Sequence, residues 1–282
     1  MLIRQALLSL PSFPDAVSER TMESAFTLVQ LLGAGLTVRL DQLDSDRSKW
    51  PVVFGSFPLD FPQLMQEAVV MSEANAGAAA ETLPGLAAHY GVTLDLRRVL
   101  TTPYGSQAGL VDLARLHDMV ILPVPEADAF DRACVQEVLF GSGRPMTLLP
   151  SQHKRLNRLD RIVVAWDFSR AAARALSDAL PILALAREVR VLTVSGEKHI
   201  RTTAVATDLE KYLSAHRIKH SVRQVSLEGE SIGRFLMDYA VGVDADLLVM
   251  GAYGHSRMRE FVLGGATREI LREPLLPVLL SH

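Results

Sequence analysis

The sequence predicts an α/β fold of two tandem doubly wound domains, each a mostly parallel five-stranded sheet flanked by helices. Three observations predict it. At roughly 150 residues per domain, a chain of 282 residues is long enough for two. Its halves end alike: Asp118-Met119-Val120-Ile121-Leu122 corresponds to Asp246-Leu247-Leu248-Val249-Met250 at an offset of 128, while Glu137 answers to Glu269 and Pro145 to Pro277 at an offset of 132. Short apolar segments also alternate with longer helix-forming ones through both halves, the order expected of parallel strands joined by helical crossovers.

Taken in order, residues 3–10 and 161–166 are near-continuous apolar runs that suit strands buried on both faces of a parallel sheet. Helices follow at 15–32, closed by Gly33 and Gly35, and at 171–187, rich in Ala and Leu. Strands come next at 36–40 and 189–194, helices at 63–90 and 203–216, and strands at 93–100 and 221–227. Helices near 106–116 and 231–241 lead into the repeated blocks. The polar, basic stretch 150–160, with Lys154, Arg155 and Arg158, reads as a linker between domains at 1–150 and 158–282.

Composition bounds the function. Net charge is −3, so no global positive field exists to hold a nucleic-acid backbone. Cys134 is the one cysteine, which excludes an intramolecular disulfide and a cysteine-based metal cluster and points to a reducing compartment. The opening apolar run, residues 1–10, is too short for a secretory leader and no apolar run of about 18 residues occurs, so a cytoplasmic protein without a membrane span is expected. No paired carboxylates, Ser–His–Asp set or metal-ligand spacing stands out. His216 and His220 lie four apart but straddle a helix–strand junction. An enzyme is therefore not expected.

The most informative segment runs Gly251-Ala252-Tyr253-Gly254-His255-Ser256-Arg257 and on to Gly264-Gly265-Ala266-Thr267-Arg268. It follows an apolar strand and precedes a short helix that Pro274 ends. Glycines there permit close backbone approach to a ligand, and a helix start after Gly264 offers N–H groups to an anion. The carboxyl edge of such a sheet is where open α/β folds place ligands. The segment is neither a Walker A loop nor Gly-x-Gly-x-x-Gly.

The spacing of Gly251, Gly254 and Gly264, together with the strand that ends in Asp167 and Ser169, resembles the adenine-nucleotide-binding loop of the universal stress protein family. The likeness covers about residues 158–282, and the first half shares only its layout. The resemblance implies the Rossmann-like, adenine nucleotide α-hydrolase-like architecture and a stress-response protein that takes ATP or AMP in its C-terminal domain. By it, Asp167 accepts from the adenine amino group and Val194 offers backbone contacts to the base. Gly251 and Gly254 pass along the ribose and phosphates, and Gly264 with the N–H groups after it, Gly265 first, cradles the phosphates. Read from the residues alone, His255 is a candidate phosphate contact and Thr267 a hydroxyl that could partly substitute for a missing donor. Gly265 departs from the family pattern, which places Ser or Thr there; the missing hydroxyl is worth about 1 kcal/mol. In the first half, Leu10, Pro123 and Glu126 stand where Asp167, Gly251 and Gly254 would, and Glu126, Asp128 and Asp131 repel phosphate. That half reads as a degenerate, structural repeat. The family further implies that residues 146–149 and 278–280 pair edge to edge, making the chain an intramolecular pseudo-dimer able to form a homodimer. Two alternatives stand beside nucleotide sensing: an interaction scaffold with a vestigial pocket, and a weak ATP hydrolase.

Overall fold

The computed structural model describes residues 2–46, 50, 61–102, 107–125, 132–154, 156–195, 203–227, 229, 231–252 and 265–282. The N-terminal half runs β1 (Gln5–Leu10), α1 (Glu19–Leu32), β2 (Gly35–Leu43), α2 (Phe61–Tyr90), β3 (Leu94–Thr101), α3 (Ala108–Arg115), β4 (Met119–Val124), α4 (Arg132–Ser142) and β5 (Met146–Pro150). The C-terminal half repeats the order as β6 (Arg161–Ala165), α5 (Arg170–Leu183), β7 (Glu188–Ser195), α6 (Thr203–Ala215), β8 (His220–Ser226), α7 (Ile232–Gly242), β9 (Leu247–Gly251), α8 (Gly265–Ile270) and β10 (Val278–Ser281). The alternation read from the sequence is therefore the fold, with element ends shifted by a few residues.

All ten strands form one sheet in the order β3-β2-β1-β4-β5-β10-β9-β6-β7-β8. Pairing within each half is parallel. The halves meet through the single antiparallel pair β5–β10, with Leu148 opposite Val278, Thr147 opposite Leu279 and Met146 opposite Leu280. The edge-to-edge pairing of the two final strands is thus present within one chain, and it covers two sheet edges that would otherwise stay open to other chains.

The repeat has a hydrogen-bonding cause as well as an apolar one. Asp118 accepts from the backbone N–H groups of Arg4 at 2.7 Å and Gln5 at 3.0 Å, at the start of β1. Its counterpart Asp246 accepts from Asp160 at 2.7 Å and Arg161 at 2.9 Å, at the start of β6. A carboxylate ahead of the fourth strand of each half therefore ties down the first strand, and charge-assisted bonds of this kind are among the stronger ones. The first helices also match: Ser18 and Ser169 are the N-caps of α1 and α5, accepting from the N–H groups of Thr21 and Ala172.

Strand alternation divides the core. On one face of the sheet Leu8, Leu10, Val38, Leu40, Ile162, Val164, Val189 and Val191 pack under α1, α2, α5 and α6. On the other, Leu7, Val120, Leu122, Leu192, Leu248 and Met250 pack under α3, α4, α7 and α8. Trp50 joins a satellite cluster with Leu43, Ala68 and Val69 and donates its indole N–H to the Asp44 carbonyl at 2.9 Å, so it covers the edge of the core. Among the described residues no helix is long and apolar enough to cross a membrane.

Candidate functional site at the carboxyl edge of the C-terminal half

Four of the described candidate residues, Asp167, Val194, Gly251 and Gly265, lie at the carboxyl ends of β6, β7 and β9 or at the helix that follows β9. Gly254, His255 and Gly264 fall outside the described residues, and the expected course of the loop between β9 and α8 falls outside with them.

Asp167 is exposed just beyond β6. Its Oδ1 accepts from the Ser169 N–H at 3.0 Å, and Ser169 Oγ accepts from the Ala172 N–H at 3.0 Å. By residue type alone, Asp167 and Ser169 are rival caps for α5. The structure divides the work: Ser169 caps the helix, and Asp167 closes the turn before it. Between them Phe168 adopts φ +60°, a left-handed conformation that costs an aromatic residue about 1–2 kcal/mol. Its ring lies edge-on to Trp166 at 5.6 Å, and the Trp166 indole N–H is buried without a hydrogen bond. The turn that presents Asp167 is thus held by strain, a ring contact and two hydrogen bonds, a concentration typical of segments built to hold a side chain in place.

Gly251 ends β9 for a reason the sequence does not display. A Cβ there would lie 2.4 Å from the backbone of Ala171 and Ala172 in the first turn of α5. The helix start packs directly on the strand end, and only glycine fits. Gly233 plays the same part between α7 and α8, where a Cβ would come within 2.6 Å of the Ala266 carbonyl oxygen. Sequence reasoning missed Gly233, since no glycine pattern marks it.

Val194 lies where β7 runs three residues past its pairing with β6, opposite Val225 of β8. It is half-buried and packs with the core on the α7 side. Gly265 opens α8 with no atom within 4 Å of a Cβ built on it. Thr267 is only 3% exposed.

The N-terminal half has a different carboxyl edge. Leu10 and Pro11 line a cavity of about 90 Å³ with Met22, Leu40 and the α2 residues Ala78 and Ala79. The strand register moves the expected correspondence by one residue: Leu7 matches Val163, so Pro11, not Leu10, stands where the other half presents Asp167, and an apolar hollow lies there. Cys134 is half-buried beside the core.

The profile of the universal stress protein family matches residues 158–282. A universal stress protein of Synechocystis sp. is 29% identical over 150 residues, which is 52% of this chain and 50% of that protein. The match thus spans about half the length of this curated relative. Among solved structures, a universal stress protein from Archaeoglobus fulgidus superposes with a TM-score of 0.64 at 18% identity, covering 98% of this chain and 95% of the other. A functionally unknown protein from Pseudomonas aeruginosa gives 0.62 at 14% identity, covering 99% and 92%. These structural likenesses speak to the fold, whose strand order and two-half layout run the length of the chain.

Proposed function

Residues 158–282 belong to the universal stress protein family, and from that premise we propose that this half binds an adenine nucleotide, ATP or AMP, as the sensing element of a non-enzymatic stress-response protein. The observation that carries the reading is the constructed turn at the end of β6. An exposed carboxylate is oriented by the Ser169 N–H at 3.0 Å and stands at the edge where α5 and β9 come into backbone contact. Such a carboxylate is an acceptor suited to an exocyclic amino group. In this reading Val194 supplies main-chain contacts to the base, Gly251 and Gly254 flank the ribose with His255, and Gly264 and Gly265 present N–H groups to the phosphates. The N-terminal half contributes no nucleotide site, because Pro11 replaces the carboxylate and an apolar hollow replaces its surroundings.

Titration of labelled ATP and AMP against the full chain and Asp167→Ala tests it. Saturable binding that Asp167→Ala weakens about tenfold, the worth of a hydrogen bond between a carboxylate and an amino group, supports the proposal. Absence of binding to the wild type removes it.

A second reading, an interaction scaffold with a vestigial pocket, is favoured by Gly265, which leaves the start of α8 without the hydroxyl that the family pattern places there. Thermal denaturation separates the two. A nucleotide at a hundredfold excess over its dissociation constant stabilises the fold by about 2.7 kcal/mol, and a scaffold shows no change. The non-enzymatic assignment is tested in the same tube: sustained release of ADP or phosphate at excess ATP overturns it.

A further inference from the structure

The N-terminal half holds a hollow at its carboxyl rim where its counterpart holds a ring. Counted from Leu7 and Val163, which match through their pairing to β4 and β9, Leu10 takes the strand position of Trp166. Both side chains belong to the same face of the core. An indole is much larger than the side chain of leucine, so the N-terminal half leaves room there that the C-terminal half fills. What remains is the cavity of about 90 Å³ beside Leu10 and Pro11.

The lining is of one chemical kind. Leu10, Met22 and Leu40, all buried, form the inner wall. Pro11, Ala16 and Ala78, all exposed, form the mouth, so the space is reached from solvent. Among the described residues no charged side chain lines it. Its two polar residues each donate to a backbone carbonyl, Asn75 Nδ2 to Ser12 at 2.9 Å and Thr82 Oγ1 to Ala78 at 3.0 Å.

Polar contacts behind the walls hold them in place. Segment 11–17 is tied to α2 twice, by the Asn75 bond and by the Ser12 and Ser72 hydroxyls, 2.6 Å apart. Ser72 Oγ also accepts from the Leu43 N–H at 2.8 Å, at the end of β2. On the other side Ser18, the N-cap of α1, fixes where the helix carrying Met22 begins. Protein interiors keep few voids larger than a water molecule, because atoms lining a gap lose their contacts on the open side. A gap that is apolar, uncharged and anchored at its walls is poorly hydrated, which favours an apolar guest.

Volume bounds that guest. An apolar cavity of about 150 Å³ takes up benzene. This one is smaller, and at roughly 30 Å³ for a group the size of a water molecule it admits about three methylene or methyl groups.

We propose that the N-terminal half binds a short uncharged aliphatic group, about three carbons long, in the hollow between segment 11–17 and α2. The half without the nucleotide pattern is then a receptor of different chemistry, and its occupancy does not depend on the nucleotide reading of the other half.

The test uses the full chain, with carbon NMR of isotope-labelled methionine methyl groups and the Met22 signal assigned by Met22→Leu. Straight-chain alcohols from ethanol to hexanol are titrated at constant ionic strength. The Met22 signal is expected to shift saturably while methionines outside the hollow stay still. The dissociation constant is expected to fall about fourfold per added methylene, the worth of burying one, until the hollow is full at propanol or butanol. Binding of hexanol at that limiting strength identifies the end of a longer chain as the guest, exclusion of hexanol identifies a free small molecule, and both support the proposal. Ala79→Leu, on the α2 wall, puts its added carbons in the hollow and is expected to weaken butanol binding at least about tenfold. Ala16→Leu does the same from the exposed mouth and serves as the readout if Ala79→Leu does not fold. Propionate, of propanol's size but charged, is expected to leave Met22 unmoved. The proposal is overturned if no alcohol shifts the Met22 signal saturably, if all methionine signals drift together, if both filled variants bind butanol as the wild type does, or if propionate binds as tightly as propanol.

Discussion

A single methyl group separates Gly251 from every other residue, and the structure has no room for it. Placed 2.4 Å from the α5 backbone, it would force the helix off the strand. Gly251→Ala is accordingly expected to cost about 1–3 kcal/mol, the usual price of overpacking, read as a lower midpoint in urea denaturation whether or not nucleotide is present. Gly265 is the opposite case. Space around it is open and its backbone is not left-handed, so Gly265→Ser is expected to keep wild-type stability. By restoring a hydroxyl it tightens ATP binding about fivefold, about 1 kcal/mol, as measured by calorimetry. The two glycines belong to one glycine-rich segment, yet one is fixed by packing and the other is open to change.

At the scale of elements, the strands, helices and repeat were legible because each half writes them twice. Apolar runs bounded by helix formers recur at offsets of 128 and then 132, and Asp118 and Asp246 recur with them as the acceptors that begin β1 and β6. Less was legible where two elements distant in sequence decide a residue's fate. The α5 backbone that dictates Gly251 lies about 80 positions earlier in the chain. Arg39 lies in the strand read at 36–40, and nothing local to that strand shows that its side chain is enclosed, 5% exposed under the start of α3. Phe168 gives no sign in its sequence neighbourhood of a positive φ, since that conformation is imposed by the turn around it. The β5–β10 joint carries a further cost. Thr147 Oγ1 is buried there with no hydrogen-bond partner. Thr147→Val removes the stranded hydroxyl at nearly constant shape and is expected to gain about 1 kcal/mol, seen as a raised melting temperature.

Across the whole molecule, the segment between the halves is bound to both. Arg20 of α1 donates to the carbonyls of Gln152 and His153, and the His153 Nδ1 lies 3.1 Å from the Leu275 carbonyl oxygen ahead of β10. Burial is the main cause that lowers the His153 pKa below its ordinary value of 6.5; the Leu275 bond opposes it, Arg20 and Lys154 add to it, and Asp246 acts against it. The folded protein therefore binds fewer protons here than the unfolded chain does just below pH 6.5. The stabilisation from this histidine is complete above that value and is lost as pH falls through it toward the folded pKa. Between about pH 8 and about pH 5 the wild type is expected to lose more melting temperature than His153→Gln. Equal losses would show that the linker takes no part in the acid response.

The antiparallel seam between β5 and β10 has a geometric outcome of its own. Because every strand on one side of it runs against every strand on the other, the carboxyl edges of the two halves lie on opposite rims of the shared sheet. The turn that presents Asp167 and the apolar hollow beside Leu10 and Pro11 therefore face away from each other, and whatever meets one rim leaves the other uncovered.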